Sequence, residues 1–547
     1  MKAERGLWFS ALTGAVAFLA LTGGAILDPA RVDWLLAHPD TATTYLGWAF
    51  FRHAPLLQWP YGANPAYGLE IGSSVVYSDS VPLLALALKP FSPLLPAAFQ
   101  YLGAWLLACF VLQAVFAYRL LRGFSDNQIL CWIGAAFFLA APAWLFRLFG
   151  HFALFGQWVV LAALCLYFTP RFHPWRWIAL LCAAVLIHFY LFAMAGAVWL
   201  ADAWQRRTAR FLFPGLVLIP CAMWAAGYFT IGAAGSALPG YGTYRLNLAA
   251  PIDTNGLWSR VVPDLPGAGG DFEGFSYLGL GVLLLAPLAL WKRIAFDRRL
   301  VPLLAAGVIL TVLALSNRVA LGPIELLSYD VPGLLRPYTD LLRGSGRLFW
   351  PMYYLALLAI LVAVMRGFRA RIATAICAIA LGLQVADSSV AFDRIRQQIA
   401  DAAWRSPLQQ AVWQDLAPRY KRVIYVLPPP QSTAYSTFLP WAAFAAQHDM
   451  AVNFGYFARV DAERAIDASQ ALEAAVRANR LDPDSLYVFW NDPLWRLASA
   501  RRAAEDLVGE IDGYRVIAPG LRGGSGGSPA RNGDSEPPPG PPPAPTR

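Results

Sequence analysis

The sequence predicts a polytopic α-helical membrane protein with a C-terminal periplasmic α/β domain and a disordered tail. Of its residues, 58% are apolar and only 14% are charged, whereas soluble domains carry roughly 25% charged residues. Apolar runs of about 17–25 residues, each long enough to cross a bilayer, recur through residues 1–386. From residue 387 onward, short strand patterns alternate with helical ones, which is typical of a small α/β domain.

The apolar segments divide the N-terminal part into crossings. The first segment follows Lys2 and Arg5, and we interpret it as an uncleaved helix because no convincing signal-peptidase site follows it. Segment 177–203 has basic residues at both ends, so a single crossing would expose one cluster outside. We therefore predict a short hairpin there, with its apex near His188. The apolar segments are 7–27, 97–118, 128–146, 152–168, 177–203, 211–232, 276–291, 300–316, 348–365 and 372–386.

Lysine and arginine predict the orientation, because they concentrate in the short cytoplasmic loops of membrane proteins. The longer connections 28–96, 233–275 and 317–347 are sparse in them and are predicted to lie outside. This threading gives about 11 crossings of a bacterial inner membrane, a cytoplasmic N-terminus and a periplasmic C-terminal domain. The dense short connections contain Lys2/Arg5, Arg119/Arg122, Arg171/Arg176, Arg206/Arg207/Arg210, Lys292/Arg293/Arg298/Arg299 and Arg366/Arg369/Arg371.

The first long outer loop, 28–96, is predicted to follow the membrane surface. Residues 33–53 are amphipathic, and Trp34, Tyr45 and Trp48 among them suit the lipid–water interface. The apolar stretch 80–91 is too short to cross, so we predict a re-entrant or juxtamembrane helix.

The C-terminal domain is predicted to cover residues 387–522. The tail, 523–547, is rich in Gly, Ser and Pro and too poor in apolar residues to fold. The predicted strands are 422–427, 451–457, 485–490 and 513–518, and the predicted helices are 439–447 and 463–479.

Composition also excludes several classes. All 6 cysteines lie in apolar segments without CxxC spacing, which excludes a disulfide framework and a cysteine-type zinc site. The net charge of +9 comes largely from the topogenic connections, so it does not indicate a nucleic-acid partner. No inverted pair of interrupted helices of the transporter kind is found.

The first outer loop carries two candidate catalytic carboxylates, Asp40 and Asp79. A carboxylate beside a bilayer has a desolvation cost that Ser, Thr or Asn would avoid. The alternatives are an N-cap role for Asp79 and a turn role for Asp40. Arg52 and His53 follow Asp40 and are candidates for binding the phosphate of a lipid-linked substrate; lipid headgroups are the alternative partners.

The second and third outer loops add further candidates. Asp271 and Glu273 form a D-x-E pair in a glycine-rich loop, which is a weak candidate for a divalent cation. No cofactor is otherwise implied. Arg343 and Arg347 are four residues apart just outside a crossing, where Arg suits phosphate oxygens. A topogenic or headgroup role is the alternative for this pair.

Candidate cavity-lining residues lie at the outer ends of crossings. His151 lies at one outer border, and His188 and Tyr190 lie at the predicted hairpin apex. A hydrogen-bonded core histidine is the ordinary explanation, but ionisable residues at membrane depth are functional hypotheses by default. Glu273 is counted with this group.

Four stretches carry a family resemblance: WAFFRHAPLLQWPYGANPAYG, SSVVYSDSVPLLALALKPF, FEGFSYLGLG and RGSGRLFWP. They resemble a bacterial family of uncharacterised multi-pass membrane proteins, a domain of unknown function related to the GT-C class of membrane glycosyltransferases. The similarity covers residues 7–520. The GT-C class has a long outer loop after the first crossing, with an acidic catalytic residue in it.

The GT-C resemblance implies transfer of a hexosyl or pentosyl group from a polyprenyl-phosphate-linked donor to an envelope glycan or lipid. Asp40 would be the base, with Asp79 as the other candidate, and Arg52, Arg343 and Arg347 would bind the lipid phosphate. The sequence lacks a paired Asp-Glu in the first loop, so the base stays open between the two residues. The other hypotheses are a flippase of lipid-linked saccharides and a non-catalytic assembly factor for surface polysaccharide.

Overall fold

The computed structural model describes residues 2–209, 212–231, 240–292, 297–426 and 431–521. The chain divides into two compact units. The first contains Met1–Asn64, Ser73–Trp404 and Phe457–Ala462. The second contains Pro65–Gly72, Arg405–Tyr456 and the part from Glu463 to the end, as far as it is described. Each unit therefore holds a short segment from the region of the chain that forms most of the other.

The first unit is mostly helical. Its helices are α1 (Lys2–Thr22), α2 (Asp33–Leu36), α3 (Pro39–Phe51), α4 (Pro82–Leu88), α5 (Leu102–Arg122), α6 (Gln128–Leu139), α7 (Pro142–Leu145), α8 (Trp158–Phe168), α9 (Pro174–Ile187), α10 (Phe189–Gln205), α11 (Phe213–Ala226), α12 (Leu280–Lys292), α13 (Val301–Leu315), α14 (Arg336–Leu341), α15 (Trp350–Gly367), α16 (Ala370–Asp387) and α17 (Ser389–Ile399).

Several of these helices have the length and apolar composition of membrane-spanning helices. Within the described residues, 5 are long and apolar enough, or 6 if the bent pair Gln128–Leu139 and Pro142–Phe149 is one span. The helices α8, α9, α11 and α12 are apolar but shorter. The prediction of an α-helical membrane protein is confirmed at this level, whereas the larger predicted number of crossings depends on those shorter helices.

The helices α9 and α10 are separated at His188, the predicted hairpin apex. His188 has an extended backbone, with φ −163° and ψ 137°, and its imidazole accepts a hydrogen bond from the N–H of Tyr190. The first N–H groups of a helix have no intrahelical partner, so this contact caps α10. A break at this position is therefore encoded by His188 itself.

The arginine-rich connections contact one another. Arg206 donates to the carbonyls of Pro170 (2.8 Å) and Thr169 (2.6 Å). The hydroxyl of Tyr167 donates to the carbonyl of Arg299 (2.5 Å), and Arg366 donates to the carbonyl of Phe124 (3.4 Å). The dense connections that the sequence grouped by charge thus include neighbours in space.

One element of the first unit was not predicted. Residues 317–347, which the sequence indicated only as an outer loop, contain an antiparallel hairpin of β1 (Arg318–Leu321) and β2 (Ile324–Ser328). Gly322 in the turn has φ 57°, a left-handed value that glycine adopts without strain. All five residues of β2 are exposed, so the strand lacks the alternation that reveals a half-buried strand in a sequence.

The second unit has a five-stranded sheet of order β4-β3-β5-β7-β6. Strands β3, β4 and β5 are parallel, and β7 is antiparallel to both β5 and β6. The prediction of a C-terminal domain with strands and helices is confirmed. Its elements are α18 (Val412–Leu416), β3 (Arg422–Val426), α19 (Gln431–Gln447), β4 (Ala451–Val452), α20 (Ala462–Arg477), β5 (Ser485–Phe489), α21 (Asp492–Ser499), β6 (Leu507–Ile511) and β7 (Tyr514–Ala518).

Strand β4 is much shorter than the predicted strand 451–457, and β6 was not predicted. The segment Pro65–Gly72 pairs with β4: Gly68 N–H donates to the carbonyl of Val452 (2.9 Å), and Val452 N–H donates to the carbonyl of Ala66 (2.9 Å). Part of the first long loop thus completes the edge of this sheet. The predicted disordered tail, 523–547, lies outside the described residues.

Candidate functional site

Three carboxylates of the first unit surround His151. Its Nδ1 lies 3.6 Å from Asp79 Oδ2, and its Nε2 lies 3.9 Å from Asp40 Oδ2 and 3.8 Å from Glu273 Oε1. Asp40 lies in the first turn of α3, Asp79 precedes α4, and Glu273 belongs to a short 3₁₀ turn. The structure thus brings together four residues that the sequence placed in three separate segments.

Asp79 lies between two histidines. Its Oδ1 is 3.7 Å from Nε2 of His188, on the side away from His151. Among the described residues, no group donates a hydrogen bond to its buried Oδ2. The alternative role as an N-cap is wrong, because Val81 occupies the N-cap of α4 and no side chain caps that helix. A buried carboxylate oxygen without a donor is costly, which marks Asp79 as a site residue rather than a structural one.

The backbone at this place is strained. Asp79, Val81 and His151 have φ of 57°, 47° and 56°, in the left-handed region that branched residues such as valine rarely adopt. Such conformations cost of order 1–3 kcal/mol each and persist only where the surroundings impose them. Two of the three, Asp79 and His151, belong to the ionisable cluster, by which we mean Asp40, Asp79, His151, His188 and Glu273.

Close packing against α3 imposes this conformation. The hydroxyl of Ser80 donates to the carbonyl of Thr44 (2.7 Å) and lies 2.9 Å from the hydroxyl of Ser78. A Cβ on Gly47 would lie 1.9 Å from Ser78 Oγ, so only glycine allows the loop to approach the helix this closely. The two aspartates are therefore held together by the contact of their own segments.

His188 is held by its cap contact in one neutral form. Because Nδ1 accepts from Tyr190 N–H (3.1 Å), a neutral imidazole carries its proton on Nε2, which faces Asp79. The rings of His188 and Tyr190 stack with centroids 5.6 Å apart. The Tyr190 hydroxyl accepts from Gly344 N–H (2.8 Å), and the Arg347 guanidinium lies 5.3 Å from the Tyr190 ring.

Glu273 joins two buried arginines. Arg347 binds it through Nε to Oε2 (2.9 Å) and Nη2 to Oε1 (2.7 Å), and Arg147 Nη1 donates to Oε2 (2.8 Å). Burial alone would raise the pKa of Glu273, but the charges of Arg347 and Arg147 hold it well below its usual range. Glu273 is therefore ionised, and one positive charge of the two arginines remains uncompensated by it.

The charges around His151 raise its pKa, whereas those around Glu273 lower the pKa of that carboxyl. Burial, the largest single effect, lowers the pKa of His151, but attraction to Asp40, Asp79 and Glu273 outweighs burial and the repulsion by Arg347. The pKa of His151 is therefore raised above its ordinary value. The imidazole can hold a proton beside Asp40, as an acid–base group requires.

Three of the predicted phosphate-binding residues lie elsewhere. The guanidinium of Arg52 donates to four backbone carbonyls between Ser92 and Ala97, so it fixes the fold of the first loop. His53 is exposed just beyond α3. Arg343 lies over the ring of Tyr244, 5.2 Å from its centroid, and forms no ion pair with a described carboxylate.

The D-x-E pair does not form a joint site. Asp271 accepts from Arg245 (3.1 Å) and Asn247 (2.9 Å), whereas Glu273 binds the other arginines. In the part of the chain that the structure describes, no group of three or more His, Cys, Asp or Glu residues is arranged to hold a metal ion. The two carboxylates already have guanidinium partners, which disagrees with the predicted cation site.

Sequence reasoning missed Arg147, whose side chain is 2% exposed. The available signal was an arginine near the end of an otherwise apolar segment, four residues before His151. Its partner, 126 residues away, is not apparent from sequence spacing.

Comparison with known families gives two matches. A family model described as "Domain of unknown function (DUF6311)" matches residues 11–389, and one described as "DUF6311 C-terminal domain" matches residues 412–519. No curated protein and no solved structure matches the chain. The matches fit the resemblance to an uncharacterised family and provide no link to GT-C glycosyltransferases.

Proposed function

We propose that this chain, which belongs to the DUF6311 family, is a membrane glycosyltransferase. It acts on the outer face of a bacterial inner membrane. Its donor is a sugar on a polyprenyl phosphate, and its acceptor is a glycan or lipid of the cell envelope. Asp40 is the catalytic base. His151, which also contacts Asp79, is the ionisable group beside it, and Arg347 binds the donor phosphate.

The exposure of Asp40 beside His151 is the observation that carries this proposal. The side chain of Asp40 is 39% exposed, compared with 18% for Asp79 and 7% for Glu273. A base must reach the proton that it removes, and Asp40 is the most accessible of the three carboxylates around His151. This favours Asp40 over Asp79, the choice that the sequence left open.

The proposed reaction relies on the greater exposure of Asp40. Asp40 accepts the proton of the acceptor hydroxyl while the hydroxyl oxygen forms a bond to the anomeric carbon. The bond between that carbon and the phosphate oxygen breaks, and the polyprenyl phosphate leaves with the electron pair. The charge that develops on the phosphate is stabilised by Arg347, whose Nη1 makes no hydrogen bond to a described residue.

Two contacts support the proposed topology. The cluster, together with Arg347, combines residues of the three long loops that are predicted to be outside, namely Asp40, Asp79, Glu273 and Arg347, with His151 and His188 at predicted outer ends of crossings. In addition, Pro65–Gly72 of the first long loop belongs to the second unit, which supports the proposal that this loop and the C-terminal domain share one side of a membrane. The predicted threading has an even number of crossings between them, as that arrangement requires.

The test is transfer by the purified full-length protein in lipid vesicles. The donor is a polyprenyl phosphate carrying a radiolabelled hexose or pentose, with envelope extract as the acceptor. We expect transfer by the unmodified protein and a loss of about 10²–10⁴-fold in Asp40→Asn, the usual contribution of a general base. As a matched control, Asp393→Asn changes an exposed carboxylate on α17 and should leave transfer unchanged.

Three outcomes would overturn the proposal. Undiminished transfer by Asp40→Asn would remove this residue from the mechanism. Movement of the lipid-linked sugar across the vesicle without transfer would favour the flippase hypothesis. Full support of envelope polysaccharide assembly in cells by an Asp40→Asn, Asp79→Asn double variant would favour the assembly factor.

A further inference from the structure

A short segment from the C-terminal region belongs to the first unit. The residues before and after Phe457–Ala462 lie in the second unit, but this stretch does not. Ala458 N–H donates to the carbonyl of Tyr77 (2.7 Å), and Arg459 Nη2 donates to the carbonyl of Leu341 (3.1 Å). The segment is thus fixed both to the loop that leads into Asp79 and to the end of α14.

These contacts bring the charge of Arg459 close to the ionisable cluster. Its neighbour Ala458 is hydrogen-bonded to Tyr77, and its own partner Leu341 lies six residues before Arg347. Tyr77 lies two residues before Asp79, and Tyr190 is the residue on whose ring Arg347 stacks. The segment that carries Arg459 is therefore bonded to both of the stretches that lead into Asp79 and Arg347.

The hydroxyl groups of Tyr77 and Tyr228 are both held by hydrogen bonds to the backbone. The hydroxyl of Tyr77 donates to the carbonyl of Tyr228 (2.5 Å), and the hydroxyl of Tyr228 donates to the carbonyl of Val185 (2.7 Å). Both phenols are thus engaged with backbone, and neither neutralises a guanidinium. Tyr77 and Tyr228 therefore provide no acidic partner for the positive charge of Arg459.

Arg459 differs from Arg147 and Arg347 in its ion pairs. Arg147 and Arg347 share Glu273, whereas Arg459 forms no ion pair with any carboxylate that the structure describes. It is half-buried, and its one hydrogen bond with a described residue uses Nη2 alone. The remaining donors of a planar guanidinium suit a phosphate group, which provides several acceptor oxygens in matching geometry.

We propose that Arg459 binds the phosphate of the lipid-linked donor together with Arg347, so that the C-terminal region supplies one residue of the site. This inference rests on the proposed function and names a residue that binds the leaving group. Glu273 compensates one of the two charges of Arg147 and Arg347, and Arg459 adds a charge that no described carboxylate pairs with. A phosphate monoester, which is the group released by sugar transfer, carries about −1.5 to −2 charges at neutral pH, so an additional guanidinium favours its binding.

The test compares binding of a polyprenyl phosphate to the full-length protein in lipid nanodiscs. We expect Arg459→Gln to raise the Kd at least tenfold, which corresponds to about 1.4 kcal/mol, while the melting temperature stays unchanged. Arg459→Lys keeps the charge but loses the planar set of donors, so its Kd should lie between those of the unmodified protein and Arg459→Gln. The matched control is Arg480→Gln, which changes an exposed arginine three residues beyond the end of α20.

A second variant covers the case that Arg459→Gln destabilises the protein. Arg459→Met keeps the apolar stem of the side chain, and the same tenfold increase in Kd is expected. An unchanged Kd in the folded variants would overturn the inference about Arg459 while leaving the proposed transfer intact. Failure of the unmodified protein to bind a polyprenyl phosphate would instead overturn the proposed function itself. Competition with inorganic phosphate distinguishes recognition of the phosphate from recognition of the lipid chain.

Discussion

Oδ2 of Asp79 lies 3.6 Å from Nδ1 of His151, and both residues have a left-handed backbone, with φ of 57° and 56°. Strained backbone conformations tend to cluster at functional sites, because the surrounding structure must hold them in place. In this chain the packing of residues 78–80 on α3 does so from one side. The pair of residues therefore provides the starting point for mutational tests.

Asp79→Asn removes the negative charge between His151 and His188 but keeps the shape of the side chain. Because Asp79 contributes to the raised pKa of His151, that pKa should fall in the variant. We expect the alkaline limb of the transfer rate against pH to move to lower pH, and the rate at neutral pH to fall about 10–100-fold. Because Oδ2 of Asp79 accepts no hydrogen bond from a described residue, stability should change by less than about 1 kcal/mol. A pH profile identical to that of the unmodified protein would contradict this role.

The raised pKa of His151 predicts a pH-dependent stability. A group whose pKa is higher in the folded than in the unfolded state stabilises the fold fully below the unfolded value, here 6.5. That contribution is lost as the pH rises through the folded-state pKa. The difference in unfolding free energy between the unmodified protein and His151→Gln should therefore shrink as the pH is raised above 6.5.

His448 provides the control for this experiment, because burial lowers its pKa. The stabilisation that the neutral His448 provides should grow as the pH rises towards 6.5 and stay constant above 6.5, which is the opposite direction and a lower pH range. The measurement is thermal unfolding in detergent across a pH series. A His151→Gln difference that grows with increasing pH would show that the carboxylates do not control this imidazole.

Glu273→Gln breaks the contact that compensates two buried arginines. Removal of one partner of a buried ion pair leaves an unpaired charge and costs about 3–5 kcal/mol. We expect a large decrease in melting temperature and loss of activity with it. Glu325→Gln is the matched control, since Glu325 contacts Arg245 but its side chain is 43% exposed, and about 0–1 kcal/mol is expected there. Equal effects of the two substitutions would contradict the anchoring role of Glu273.

Gly150→Ala tests the position of Asp40 without changing an ionisable group. Gly150 has φ 158°, and a Cβ there would lie 3.0 Å from Oδ2 and 3.1 Å from Cβ of Asp40. The carboxylate must move by a few tenths of an ångström, and a displacement of about 1 Å can cost about 10²-fold in rate. We expect a decrease in transfer of about tenfold. Gly382→Ala, where a Cβ meets no atom within 4 Å, should be neutral, and equal activity of both variants would exclude this constraint.

Much of the cluster follows from the distribution of charge in the sequence. Asp40, Asp79, His188 and Glu273 stand out because they are ionisable residues next to apolar segments, where each has a desolvation cost. The positive-inside rule predicts that they share one side, and the structure brings them together around His151. The break at His188 was also predictable, because basic residues flank its segment at both ends.

Other features depend on contacts that no local pattern reveals. Arg52 was expected to bind phosphate, but its partners are carbonyls that become available only when residues 92–97 turn back onto α3. The role of Arg147 depends on an acceptor 126 residues away. The pairing of Pro65–Gly72 with β4 also joins distant parts of the chain through backbone groups alone.

The exchange of Pro65–Gly72 and Phe457–Ala462 between the two units has a consequence for biosynthesis. Translation proceeds from the N-terminus, so the stretch around Asp40 and Asp79 is inserted long before residue 457 emerges from the ribosome. A nascent protein that has inserted all its helices still lacks the strand partner of residues 65–72 and the guanidinium of Arg459. Premature termination would therefore leave an inserted protein that lacks these contacts.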